Sequence, residues 1–206
     1  VAVTNTDDDV AGITVDPVTG LSTTEAGGQA TFSVKLDSEP TGDVTIGLTS
    51  SDVSEGTLSS SSVTFTPLNW NTAQTITVTG VDDNVDDGNA PYSIVTAAAT
   101  SSDILYAGIN AADVSLNNTD DDTAGITVTP ITGLSTTEGG GQATFTVVLD
   151  SEPTAEQIIA LSSSNTNEGN VSPETLTFNA SNWNAAQTVT VTGQDDDIVD
   201  GSVGYT

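Results

Sequence analysis

The chain has 206 residues, of which 29 are Asp or Glu against a single cation, Lys35, for a formal net charge of −28. Cysteine and histidine are both absent, which excludes disulfides, thiolate nucleophiles, Cys-type zinc sites, histidine triads and imidazole proton shuttles. Nucleic acid is excluded as a partner because binding it requires cations that displace counterions, and no apolar run is long enough for membrane insertion as a helix.

Read from the N-terminus, "VAVTNT" (1–6) matches "VSLNNT" at Val114 and is expected to be the last strand of a preceding repeat. A "DDD…AGITV…TGLSTTE" unit opens at Asp7 and again at Asp120, 113 residues later, and the offset holds without a gap: Trp70 pairs with Trp183, Asp82 with Asp195 and Tyr92 with Tyr205. Roughly sixty per cent of aligned positions are identical, far above what shared composition gives. The expected organisation is therefore residues 1–6, a first repeat over 7–119, and a second over 120–206 that stops at Thr206, the counterpart of Ser93, inside a strand. The parent chain is expected to be longer at both ends.

Within the first repeat, short alternating runs separated by Gly, Ser, Asp and Pro predict strands at Ile13–Val15, Ala30–Leu36, Val44–Leu48, Val63–Thr66, Thr75–Thr79, Tyr92–Val95 and Val114–Leu116. Their inward faces carry Phe32, Val34 and Leu36; Val44, Ile46 and Leu48; Ile76 and Val78. No segment has helical periodicity. The fold class is all-β: tandem Greek-key β-sandwiches of immunoglobulin type, about seven strands in each. Phe32, Phe65 and their counterparts Phe145 and Phe178 belong in the cores, Trp70 and Trp183 pack a strand connection, and the glycines of "EAGGQ" and "EGGGQ" serve turns that need positive φ.

If successive strands reverse direction, Glu25, the loop at 50–56, "DDNVDDG" (82–88) and the run Asp120–Asp122 all fall at one end of the sandwich. Glu25, Glu55, Asp82, Asp83, Asp86, Asp87, Asp120, Asp121 and Asp122 then converge with no basic residue beside them, and so many carboxylates must bind a cation or take up protons. Calcium, with six to eight oxygen ligands in irregular geometry, suits such loops better than magnesium. From the 50–56 loop Glu55 is favoured, since it recurs as Glu168 whereas Asp52 becomes Asn165. The paired carboxylates lie in a repeated loop with no aromatic cleft, so catalysis is not expected.

"STTEAGGQATFSVKL", "VTGVDDNVDDGNAPYSI" and "LNNTDDDTAGITV" resemble the Calx-beta domain, a family named for sodium–calcium exchangers and common in bacterial surface proteins. The resemblance spans essentially the whole repeat. It implies calcium held by Glu25, Asp82, Asp83, Asp87, Asp120, Asp121 and Asp122, with the backbone carbonyl of Val85. In the second repeat it implies Glu138, Asp195, Asp196 and Asp200, with Ile198 at the place of Val85, and the final Asp run of that repeat would fall past Thr206. Asp86 is replaced by Val199 and reads as peripheral, Ala90 stands where the family often has an acid, and "LNWNTAQTITVTG" is longer than the family's segment.

These readings lead to a non-catalytic, calcium-dependent structural or adhesive rod, in which calcium stiffens the junction between neighbouring repeats. Extracellular calcium is abundant, so the cell surface or a secreted matrix is the expected location. A calcium-sensing module and a spacer attached to an enzyme domain are the alternatives. Were the chain complete, a further alternative would be self-assembly into a filament, in which Val1–Thr6 closes the second repeat of another copy and delivers Asp7, Asp8 and Asp9 to its calcium site; the stop inside a strand favours an excerpt of a longer chain.

Overall fold

A computed structural model describes residues 1–199 and 201–206. It divides into two compact units, Val1–Asp83 with Asp87–Asp121, and Asn84–Asp86 with Asp122–Thr206. Every regular element among the described residues is a strand, and no helix is long and apolar enough to cross a membrane.

The first unit contains β1 (Ile13–Asp16), β2 (Leu21–Thr24), β3 (Gln29–Leu36), β4 (Val44–Ser50), β5 (Gly56–Leu58), β6 (Ser62–Phe65), β7 (Gln74–Gly80), β8 (Ala90–Thr96), β9 (Thr100–Ser101) and β10 (Val114–Thr119). One sheet has the order β1-β3-β7-β5, and the facing sheet has the order β2-β10-β8-β4-β6, with β9 also on β4. All pairings are antiparallel except β2 with β10, where Leu21 lies opposite Leu116 in parallel. Alternation in the sequence translates directly into burial: β3 buries Ala30, Phe32, Val34 and Leu36, β4 buries Val44, Ile46 and Leu48, and β7 buries Ile76 and Val78. Removing each large side chain from water contributes roughly 1.5–3 kcal/mol, and the inward faces of the two sheets form one continuous core with Phe65, Tyr92, Ile94, Val114 and Leu116.

Three short strands were not expected, and two of them have the same cause. β1 and β2 are one pass of chain that changes sheets midway, and so are β5 and β6. The third, β9, belongs to the 97–113 connection. There Tyr106 is buried and its hydroxyl donates to Ser38 O (2.6 Å) while accepting from Ser38 N (3.1 Å). This bond and those from Thr41 N and Leu105 N to the Asp103 carboxylate hold the end of the sandwich remote from Glu25.

In the second unit, β11 (Ile126–Thr129), β12 (Gln142–Leu149), β16 (Gln187–Gly193) and β14 (Gly169–Ser172) form a sheet in the order β11-β12-β16-β14. It reproduces β1-β3-β7-β5 strand for strand and in register, with Phe145 opposite Val189 where Phe32 lies opposite Ile76. Among the described residues the facing sheet consists of β13 (Gln157–Ala160) and β15 (Thr175–Phe178). Residues matching β2 form no strand, since the residues matching their partner β10 would lie past position 206. The core is correspondingly smaller, built on Val147, Leu149, Leu176, Phe178 and Val189. The strand expected over 1–6 does not form: residues 1–12 lie in no strand, and Val1 and Val3 are exposed. A strand needs a ladder partner, and among the described residues none is paired with 1–6.

Trp70 and Trp183 each pack on their own core from the connection after β6 or β15, and their carbonyls accept from Leu36 N and Leu149 N (both 3.1 Å), as the packing role implies.

Candidate functional site

Glu25 occupies the turn from β2 to β3, so this turn joins the two sheets at one pole. The turn is tight: Gly27 and Gly28 donate to Thr24 O at 3.0 and 3.1 Å, with Gly27 at φ +79°, a conformation that glycine adopts at little cost. Beneath it, Gly80 at the end of β7 comes so close that a Cβ there would overlap the Thr24 carbonyl oxygen and Asn118 Oδ1. Because β2 runs parallel to β10, the Glu25 N–H donates to Thr119 O (3.1 Å), and the chain leaving β10 passes directly over the Glu25 side chain.

Asp121 N donates to Glu25 Oε2 (3.2 Å), and one carboxylate oxygen from each of Glu25, Asp121 and Asp122 lies within 4.8 Å of the others. Glu25 is only 3 % exposed. Burial pushes its carboxyl up to about 7, opposed by the Asp121 N–H and reinforced by the nearby charges of Asp120 and Asp83. Asp120 is itself positioned by Gly88 N, which donates to its Oδ2 (2.7 Å), and by its own N–H, which donates to Asn89 Oδ1 (3.1 Å).

Glu55, at the turn before β5, is the second buried carboxylate of this pole. Burial raises its pKa, Asn118 works against that, and Asp87, Asp52 and Asp83 add to it. Asn118 is wholly buried on β10, and its Nδ2 donates to Glu55 Oε2 (3.4 Å) and Val81 O (3.0 Å) while its Oδ1 accepts from Thr23 Oγ1 (2.8 Å). Having given its only proton to Asn118, the Thr23 hydroxyl accepts from Tyr92 OH (2.9 Å). The Tyr92–Thr23–Asn118–Glu55 chain therefore locks a carboxylate into the floor of the pole.

Of the residues singled out in the first repeat, Glu25, Asp121 and Asp122 are brought together directly. Asp83 and Asp120 act electrostatically on Glu25, and Asp83 and Asp87 on Glu55. Asp82 is exposed on the same loop, and Val85 is half-buried. Asp86 accepts from Ala124 N (2.7 Å). Asp52 instead accepts from Ser54 N and Oγ, which holds its carboxyl below the ordinary value.

The second set is not assembled among the described residues. Glu138, Asp195 and Ile198 are exposed, Asp196 is half-buried and accepts from Ile198 N (2.7 Å), and Asp200 lies outside the described residues. Glu168 is half-buried, and its carbonyl accepts from Gln194 N (3.0 Å) as Glu55 O does from Val81 N. The physical reason is that, among the described residues, no strand runs over Glu138 as β10 and the chain after it run over Glu25, to bury it or to bring an Asp run to it. Asp7, Asp8 and Asp9 are likewise exposed, and Asp7 Oδ1 accepts from Asp9 N (3.1 Å).

Thr23, Tyr92 and Asn118 were missed in the sequence because none is acidic. Their recurrence was the available signal: Thr136 and Tyr205 repeat the hydroxyl pair at 2.6 Å, and Asn5 matches Asn118.

All the potential ligands at the first pole are oxygens, with no imidazole or thiolate in the chain. Such a donor set fits a hard cation of irregular coordination and is poor for zinc or copper.

No protein-family model matches the chain, and no curated protein matches it. Among solved structures, the apo-form Calx CBD1 domain is similar at TM-score 0.42 and 15 % identity, covering 55 % of this chain and all (100 %) of that one. The CBD12 structure from CALX1.2 has TM-score 0.42 and 15 % identity over 88 % of this chain and 75 % of that one. The periplasmic chaperone SfaE has TM-score 0.42 and 10 % identity over 88 % and 87 %. At such scores and identities these likenesses carry no argument about what this chain binds; the all-β sandwich architecture is established by the sheets themselves.

Proposed function

We propose that the chain is a non-catalytic, calcium-binding repeat of an extracellular or cell-surface structural protein. The observation that carries this reading is the burial of Glu25 against the carboxylates of Asp121 and Asp122 in a chain whose one cationic side chain is Lys35. A proton or a metal ion among them relieves the repulsion of three negative groups at that separation. Glu25, Asp120, Asp121 and Asp122 would hold the ion, with Asp83 and Glu55 contributing to the field around it. The ion supplies positive charge and nothing further; what this chain's residues do is orient the carboxylates through the Asn118 network and the turn at Gly27.

Asp120–Asp122 is also the stretch on which the chain runs from one repeat into the next. An ion held by that stretch converts a self-repelling linker into a fixed one, which is the behaviour of a spacer or rod. Proposed partners are therefore neighbouring repeats of the same protein. Isothermal titration with calcium, followed by small-angle scattering of the same sample, tests both parts. Binding accompanied by a narrower distribution of dimensions is expected. Absence of binding at millimolar calcium removes the reading, and binding without any change in dimensions removes the linker role alone.

A further inference from the structure

The second unit carries a groove of about 810 Å³. Its walls include Leu134, Thr136 and Glu138 on one side and Val203, Tyr205 and Thr206 on the other. In the first unit the matching residues are Leu21, Thr23 and Glu25, which end in β2 and its turn, and Ala90, Tyr92 and Ser93 of β8. The strand lying between them there is β10. The groove is thus a β10-shaped vacancy, with both walls already set: the Thr136 and Tyr205 hydroxyls are joined at 2.6 Å, and Thr206 is held by Ser164 through Ser164 N to Thr206 O (2.7 Å).

The same chain carries a segment of the right sequence. Val1–Thr6 aligns with Val114–Thr119, whose burial alternates so that Val114, Leu116 and Asn118 face inward. Val1, Val3 and Asn5 occupy those positions, and both valines are fully exposed, at 124 % and 87 %. Residues 1–12 belong to no strand, so this segment can leave without breaking a ladder.

We propose that molecules of this chain join head to tail, Val1–Thr6 of one inserting as a strand into the second unit of the next. The register follows from β10. Val3 lies opposite Leu134 in parallel and opposite Tyr205 in antiparallel, as Leu116 lies opposite Leu21 and Tyr92. Asn5 takes the place of Asn118, accepting from Thr136 and reaching the Glu168 side chain, and Thr6 O accepts from Glu138 N. Main-chain ladders supply the attraction and the two valines the specificity. Asp7, Asp8 and Asp9 then arrive over Glu138 as Asp120–Asp122 do over Glu25. Repulsion among these carboxylates opposes docking at low ionic strength, so salt or calcium lowers the concentration at which it occurs. A heterologous contact of this kind propagates into a filament unless its rotation closes a ring.

Light scattering on the full 206-residue chain over a range of concentrations, in EDTA with high salt and separately in calcium, tests this. Masses at integer multiples of one chain, growing with concentration, are expected. Val3→Asp should return the mass to one chain without altering the fold, because residue 3 lies outside every strand. Val3→Leu, which installs the residue of β10, should restore assembly, and a free peptide of residues 1–9 should shorten the wild-type assemblies. A single-chain mass in both solvents, or assembly of Val3→Asp equal to wild type, overturns the proposal. Assembly in both solvents, with no binding when the chain is titrated with calcium to millimolar concentration, would remove the calcium reading and leave this one standing.

Discussion

Replacing Glu25 with Gln separates the cost of the carboxylate from its use. Without metal, Glu25 is an acid whose folded-state pKa, about 7, exceeds the ordinary value of 4.5, so the folded chain holds the proton more tightly than the unfolded one. Below about 4.5 both states are protonated and the residue is neutral toward stability. Between 4.5 and 7 the unfolded chain ionises first and a penalty against folding grows, and above 7 the penalty is complete. A shift of this size corresponds to at most ~3 kcal/mol. It is a ceiling because Glu25, although nearly inaccessible, sits at a pole with few atoms packed beyond it, where water screens part of the field. Gln keeps an acceptor for Asp121 N and removes the charge. In EDTA near pH 8 the variant should therefore melt higher than wild type. At roughly 2–4 °C per kcal/mol the gain reaches at most ~12 °C, and it should vanish as the pH falls toward 4.5. In calcium the order should reverse, since an ion bound only by the folded state adds about 4.1 kcal/mol at a thousand times its dissociation constant, more than the penalty it offsets. Calorimetry at three pH values, with EDTA and with calcium, reads all of this. A Gln variant that is less stable in EDTA at pH 8, or equally shifted at every pH, would refute the reasoning.

The strands of the first unit were legible because two-residue alternation is strong wherever one face is buried: Phe32, Val34 and Leu36 on β3 and Val44, Ile46 and Leu48 on β4 lie where the pattern puts them. Short strands were not, since β2, β5 and β9 have too few residues to display a period. The directional argument for the acidic pole survived these omissions for a specific reason. β1 with β2, and β5 with β6, are each a single pass split between sheets, so the extra strands add no reversal. Glu25 and Glu55 accordingly fall at the same end as Asp83, Asp87 and Asp120. What the acids rest on was not legible. Asn118, Thr23 and Tyr92 are ordinary strand residues by type, and only their positions across three strands make them a floor. Nor did the repeat of "TTE" announce that Glu25 would be buried and Glu138 exposed, because burial there depends on a strand that is remote in sequence.

The remaining predictions probe the two ends of the sandwich and the two copies. Tyr106→Phe removes the donor to Ser38 O and strands the buried Ser38 N–H, so it should lower stability by about 1–3 kcal/mol in urea titrations while leaving calcium binding unchanged; altered calcium affinity would show the two ends to be coupled. Glu138→Gln is the counterpart of Glu25→Gln and should behave differently. Glu138 has the same turn and the same neighbours in sequence, yet it is exposed and among the described residues no strand crosses it, so the substitution alters no buried group. Made in the Val3→Asp chain, where no donated strand can cover it, the substitution should shift stability in EDTA by no more than ~0.5 kcal/mol at any pH. Were it to stabilise at pH 8 as Glu25→Gln does, the acidic sequence alone would account for the effect, and β10 would have no part in building the site.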